Sequence, residues 1–377
     1  MRPKTVLILG GYGHTGQMLA RLLLRHSDAR LVLAGRRPEQ ALRMALALNR
    51  ECGDERAAGI GLDAADEEGL RRAFPGMDLV AVTSSTARCA PQVARAALEA
   101  GCDYFDVQYS ARKVAALAGM QEDILRAGRC FITDGGFHPG LPAVMVRWAA
   151  DRFDALERAV VGSVIQENWA ALDLPLDTVA ELLEEMGDFR PLVCEDGAWK
   201  NAGWLDRRAY RSMDFGPPFG RRSCMAMFLE ELRPLPDQIP SLRETGFFVG
   251  GFNFFVDWVV LPLALAGLSV WPGALRPLSR MMKWGLERFS RPPYGTLLRL
   301  EAEGHSGGRE KRLALTLGHP DGYLMTAAPA AACLLQVLDG SARRPGLHTQ
   351  AQLVEPERML RDIERMGVDL RLEENPG

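Results

Sequence analysis

Thr5-Val6-Leu7-Ile8-Leu9-Gly10-Gly11-Tyr12-Gly13-His14-Thr15-Gly16 opens the chain with a short apolar run closed by Gly11-x-Gly13-x-x-Gly16. The run has the length of a buried parallel strand, and Leu19, Leu22 and Leu23 recur behind the glycines at helical spacing. In such a strand-turn-helix unit Gly11 is expected to permit the tight turn and Gly13 to let the backbone approach a pyrophosphate. Gly16 is expected to let the helix pack close. The N–H groups at the helix start face the phosphates, and the helix dipole favours their charge. Gly11, Tyr12, Gly13, His14, Thr15 and Gly16 are thus the expected cofactor turn.

Outward from that turn, strands and helices alternate. Strands are expected over 31–35, 59–62, 78–83, 103–107 and 130–133, and helices over 38–49, 66–73, 91–100 and 111–127. Six strands alternating with helices imply an α/β fold, a doubly wound parallel sheet of Rossmann type over residues 1–142. Ligands bind at the carboxyl ends of such strands.

The second strand decides the cofactor. A carboxylate about 20 residues past the glycines would hold the ribose 2′-OH of NAD. Here Arg36 stands in that place with Arg37 beside it, and a guanidinium pairs with a 2′-phosphate. NADP is favoured over NAD, unless the two arginines are only a solvated pair. Asp63, Ser84, Ser85 and Thr86, at the ends of the third and fourth strands, are placed to contact the cofactor or to cap the helices that follow.

The sixth strand ends in Gly135-Gly136-Phe137-His138-Pro139-Gly140, a loop that joins two expected domains, where a substrate cleft belongs. His138 is the candidate catalytic acid, since imidazole exchanges protons near neutral pH; the alternative is a histidine bonded to its own loop. Tyr109, Phe137 and Glu167 are further candidates for contact with substrate.

Beyond residue 143 the rhythm changes. Strands over 158–165, 297–303 and 311–317, a hairpin over 191–200 and helices over 174–186, 278–289 and 323–338 suggest an α+β domain spanning 143–350. A terminal segment, 351–377, carries a helix over 355–366 expected to return to the first domain. Residues 247–271 are nearly unbroken in apolar and aromatic character. Asn253, Asp257 and Pro262 argue against a membrane span and for a core or subunit-interface element, with peripheral contact with a membrane or a lipid-like molecule as the alternative.

The net charge of −3, with basic and acidic residues interleaved, gives no reason to expect nucleic acid as a partner. Seven scattered cysteines, without a C-x-x-C pair, favour a reducing compartment over a disulfide framework, and no metal site is expected. A strand starting at Thr5 leaves no room for a signal peptide, so a cytoplasmic location is expected. Neither a GxSxG elbow nor a P-loop is present.

The chain resembles the saccharopine dehydrogenase-like family of NAD(P)-dependent oxidoreductases. The segments that carry the resemblance are GGYGHTG, AGRR, DLVAVTSST, GCDYFDV, GGFHPGLP, FGPPFGRR, ETGFFVGGFNFFVDW, HPDGYLMTAAPA and RPGLHTQ. It implies a Rossmann domain followed by a mixed α/β domain, often in a homodimer, acting on a small-molecule substrate. Named members make or break C–N bonds through an imine. Others resemble trans-acting enoyl reductases on carrier-bound chains, and some animal members associate with lipid droplets. Where the family's GFxPG loop often has aspartate this chain has His138, which speaks against saccharopine itself as substrate. Three readings follow: an NADP-dependent imine reductase, a C=C reductase on an apolar or carrier-bound substrate, and a non-catalytic cofactor-binding or membrane-associated scaffold.

Overall fold

The computed structural model describes residues 2–374 apart from 85, 173, 188–189 and 204–205. It divides into two compact units, Met1–Val144 with Tyr323–Gly367, and Met145–Gly322 with Val368–Gly377.

The first unit begins with strands β1 (Thr5–Leu9), β2 (Arg30–Gly35), β3 (Ala57–Gly61), β4 (Leu79–Val82), β5 (Asp103–Asp106) and β6 (Cys130–Thr133). They pair in parallel in the order 6-5-4-1-2-3, so the chain reverses direction across the sheet between β1 and β4. Val6, Leu7 and Ile8 are fully buried, as a strand covered on both faces requires. On one face Leu7, Leu9, Val80, Val82, Tyr104 and Phe131 share a core with Leu70, Phe74, Val93 and Ala97 of the covering helices. The helix expected over 111–127 is two, Ala111–Ala118 and Gln121–Arg126, separated at Gly119-Met120.

The second unit holds β7 (Ala155–Gln166), β8 (Leu192–Glu195), β9 (Ala198–Asn201), β10 (Tyr210–Asp214), β11 (Arg221–Ala226), β12 (Glu244–Gly250), β13 (Gly295–Ser306) and β14 (Arg309–His319). Both expected hairpins form. The turn of β13–β14 is Gly307-Gly308, with φ of 59° and 74°, the left-handed pair that a two-residue hairpin needs. The β10–β11 hairpin was not legible, because Pro217 and Pro218 interrupt any alternation there.

The chain then returns. The helix Gly322–Leu338 leads into β15 (Gly346–Thr349), which adds to the first sheet beside β6, and β16 (Asp369–Glu374) pairs with β14 of the second. The expected 143–350 boundary is corrected by this return, since residues 323–350 belong to the first unit. Arg343 anchors the returning segment with two bonds to the Asp103 carboxylate, at 2.7 and 3.0 Å. The terminal helix, Pro356–Arg365, lies in the first unit too.

Residues 247–271 are not one element. They are shared among β12, a π-helical turn at Val256–Val260 and the helix Leu261–Val270. Asn253 and Asp257 start the helical part of the segment: Asn253 Oδ1 accepts from Val256 N–H at 3.0 Å and Asp257 Oδ1 accepts from Phe252 N–H at 2.9 Å. Phe247, Val256 and Val260 are fully buried, whereas Phe254 and Trp258 are exposed. Among the described residues no helix is long and apolar enough to cross a membrane.

Candidate functional site

The glycine turn forms at the end of β1 as expected, with one exchange of roles. Gly10, not Gly11, takes the left-handed conformation, at φ +91°. Gly11 is required by space instead: a Cβ there would lie 2.9 Å from the Ile8 carbonyl oxygen and 3.0 Å from Leu33. Gly16 is the tightest of the three, its Cβ falling 2.2 Å from the Gly10 carbonyl oxygen. The helix His14–His26 starts from Gly13 without a side-chain cap and with no acidic residue in its first turn. Its first N–H groups lack intrahelical acceptors and face an uncapped end, which suits a phosphate. The His14 ring stacks on Tyr323, centroids 4.7 Å apart, while Thr15 lies in the same first turn.

Tyr12 packs on the end of β2. Its ring lies where a side chain at Gly35 would be, 2.4 Å from that Cβ position, and its hydroxyl accepts from Arg37 N–H at 3.2 Å. The glycine turn thereby fixes the end of β2, where Arg36 and Arg37 are exposed. Among the described residues neither guanidinium is held in an ion pair, so both remain available to an outside anion. Replacing Arg36 with Ala should weaken NADPH binding about tenfold to hundredfold, the loss of one or two charge-assisted bonds, and leave NADH nearly unaffected. Parallel fluorescence titrations check this, and an equal loss for both cofactors would contradict it.

Asp63 does not cap the next helix. Its Oδ1 accepts from Ala65 N–H at 3.0 Å, and Asp66 is the cap, accepting from Gly69 N–H at 3.0 Å. Ser84 follows β4 directly against the glycine turn, since a Cβ on Gly10 would lie 2.8 Å from Ser84 N. Ser84 Oγ and Thr86 Oγ1 are 2.9 Å apart, and Thr86 makes no side-chain cap to the short helix Ala87–Cys89. Ser85 lies outside the described residues.

Sequence reasoning missed what stands beside them. Gln108, past the end of β5, is buried and donates from Nε2 to Ser84 O at 2.5 Å and to Thr86 Oγ1 at 3.3 Å. Next to it Lys113 is fully buried, with Nζ 2.6 Å from Asp106 Oδ1 and 3.1 Å from Asp134 Oδ1, and it also donates to the Gln108 carbonyl. Burial pulls the Lys113 ammonium down, but the two carboxylates outweigh it and hold its pKa above the ordinary lysine value. This cluster welds together the carboxyl ends of β5 and β6. Nothing local in the sequence announces it, because its members are brought together only by strand order.

The Gly135–Gly140 loop has an unusual path, as its glycines imply. Gly135 lies against the Phe105 ring, and Gly136 and Gly140 have φ of 101° and 128°. Gln350 clamps it from the end of β15, accepting from Gly136 N–H and donating to Gly136 O, each at 3.0 Å. The GGFHPG and HTQ segments are therefore parts of one device. Phe137 is buried with its ring centroid 3.9 Å from that of His138, and Tyr109 is half-buried just ahead of Ser110, whose hydroxyl caps the helix Ala111–Ala118.

Both His138 nitrogens are withdrawn from solvent, and burial pushes its pKa down to about 4. At neutral pH the ring is neutral. A histidine whose folded pKa is depressed from 6.5 costs stability as the pH falls from 6.5 toward about 4, where the unfolded chain takes up a proton and the folded chain does not. His138→Asn should flatten that acid loss in urea melts at stepped pH, whereas a His138 ring titrating near 6.5 by NMR would refute it.

Glu167 belongs to the second unit. It follows β7, accepts from the Thr296 hydroxyl at 3.0 Å, and is raised above the usual carboxylate range by burial.

A glycine turn, an uncapped helix start and a free arginine pair at the end of β2 define a Rossmann domain of the nicotinamide-dependent oxidoreductase class, and its residues fit NADP. Residues 6–128 match the family described as saccharopine dehydrogenase NADP binding domain. That match supports NADP as the cofactor of the first unit. Over 99% of its length the chain superposes on the whole of saccharopine dehydrogenase (L-Glu forming) from Saccharomyces cerevisiae, with a TM-score of 0.68 at 16% identity, which shows a shared fold. A myo-inositol dehydrogenase from Corynebacterium glutamicum is also similar over the full length of both chains, at 13% identity and a TM-score of 0.47. No curated protein matches the chain in sequence.

Proposed function

We infer that this NADP-dependent oxidoreductase acts on an imine, or a similarly polarised double bond, of a small molecule. The observation that carries the reading is the free Arg36–Arg37 pair held at the end of β2 by Tyr12, which selects the phosphorylated cofactor. Imine chemistry is supported by the family resemblance, whose named members make or break C–N bonds. When bound, NADPH supplies the hydride. The chain's own contribution is to seat the pyrophosphate on the turn before His14, to bind the 2′-phosphate at Arg36 and to hold the loops after β4, β5 and β6 rigid. With His138 neutral, the accompanying proton is assigned to water. His138→Asn should accordingly keep at least about a tenth of the activity, whereas removing a general acid costs about 10²–10⁴-fold. The test is NADPH oxidation with cyclic imines and amine–keto acid mixtures against enoyl thioesters. Turnover of the thioesters alone would overturn the imine reading, and binding without turnover would favour a scaffold.

A second reading has an observation of its own. Phe254, Trp258, Trp271 and Trp284 are 78%, 67%, 64% and 51% exposed, an apolar surface in the second unit that favours a lipid-like or carrier-bound substrate or a peripheral membrane contact. Salt-resistant sedimentation with phosphatidylcholine vesicles supports that contact, and a vesicle-independent dimer in ultracentrifugation would assign the surface to a second copy instead.

A further inference from the structure

We propose that Gln108 is the residue that reads the nicotinamide end of the cofactor, its Oε1 accepting an N–H of the nicotinamide carboxamide. The orientation of the Gln108 amide is set by the chain itself. Ser84 O can only accept, so the atom 2.5 Å from it must be the NH₂ group, and Oε1 points the other way. Oε1 is buried and has no hydrogen-bond partner among the described residues. A buried acceptor left unmade costs stability, and a fixed one that a ligand satisfies is a ready-made contact.

The place in the fold identifies the ligand group. Dinucleotides bind across the point where strand order reverses, here between β1 and β4. The 2′-phosphate side lies toward β2, where Arg36 stands. The nicotinamide half therefore lies on the other side, toward β4 and β5. Ser84 abuts the glycine turn at Gly10, and Gln108 is bonded to Ser84, so Gln108 stands one step from the pyrophosphate turn in the nicotinamide direction. The group also has little freedom to turn away: Nε2 is held by Ser84 O and Thr86 Oγ1, while Gln108 N–H donates to Asp106 Oδ1 at 3.2 Å and Gln108 O accepts from Lys113. The backbone of the residue is thus tied to the buried Asp106–Lys113–Asp134 cluster and its side-chain amide to the loop after β4, which gives that cluster a task beyond stability. It presents one unmade acceptor at a fixed position.

The inference rests on NADP binding to the first unit, and the experiment separates the two. Binding of NADP⁺ and of its 3-acetylpyridine analogue, in which a methyl ketone without N–H replaces the carboxamide, is measured by calorimetry on the full chain and on Gln108→Leu. The wild type should bind NADP⁺ about tenfold more tightly than the analogue, and in Gln108→Leu that ratio should fall to about one, the loss of one hydrogen bond to a buried acceptor. Any general loosening of the loop weakens both ligands alike and leaves the ratio unchanged. Gln108→Glu, which keeps an acceptor but places a carboxylate against Ser84 O, should retain part of the preference. An unchanged ratio in Gln108→Leu would overturn the inference while leaving the cofactor assignment intact. Failure of the wild type to bind either ligand would overturn the assignment itself.

Discussion

Gly16→Val is expected to lower NADPH affinity by at least about a hundredfold and to destabilise the first unit by about 1–3 kcal/mol, the usual cost of overpacking. The reason is a single contact. A Cβ at residue 16 would sit 2.2 Å from the Gly10 carbonyl oxygen and 2.8 Å from Thr83 Oγ1. Neither neighbour can retreat: Thr83 N–H and its hydroxyl both bond Leu9 O, and Gly10 O accepts from Gly13 N–H at 2.9 Å. The helix His14–His26 must therefore back away from the turn, and its first N–H groups leave the position where they meet a phosphate. Thermal melts and NADPH titrations read the two effects separately. A Gly16→Val protein that binds NADPH within tenfold of wild type would show that the turn does not seat the cofactor.

Lys113→Met should be the most destabilising substitution in the first unit, by about 3–5 kcal/mol, because it strands two buried carboxylates that the ammonium now neutralises. The side chains of Lys113 and Asp106 are wholly buried and that of Asp134 nearly so. The pH dependence gives the effect a signature. In the wild type the Lys113 pKa is raised, so its contribution is fully present below the unfolded lysine value near about 10.4 and is lost only as the pH rises through the folded value. Between pH 6 and 9 this group therefore adds no slope. In Lys113→Met a carboxyl must take up a proton for the chain to fold, so stability should rise as the pH falls from about 8 to about 5. Urea melts across that range measure the slope. A loss under about 1 kcal/mol, or no slope, would mean that the cluster is not electrostatically closed. Adding Asp134→Asn to Lys113→Met should recover part of the loss.

How much of this was legible in the sequence differs by kind of information. β1, the glycine turn and the five strands that follow could be read because each is a local pattern: an apolar run, a turn residue, a helical period. Arg36 could be read because its distance from Gly16 is fixed by one helix and one strand. The exchange between Gly10 and Gly11 was not legible, since both are glycines and only φ tells them apart. Nor was the return of 323–367 to the first unit, because the parallel pairing of β15 with β6 joins residues more than two hundred positions apart. Gln108, Lys113 and Gln350 look like ordinary surface residues in sequence. Their importance arises from burial, and burial of a polar residue is decided by partners that come from elsewhere in the chain. The position of His138 in the loop was legible, but the burial that pushes its pKa down to about 4 was not.

The central claim is that the first unit binds a dinucleotide and selects its 2′-phosphate. The direct measurement is calorimetric titration of the wild-type chain with NADPH and, separately, with NADH. NADPH should bind saturably and at least about tenfold more tightly than NADH, the value of one charge-assisted contact at Arg36. Equal affinity for the two, tighter binding of NADH, or no binding of either would contradict it.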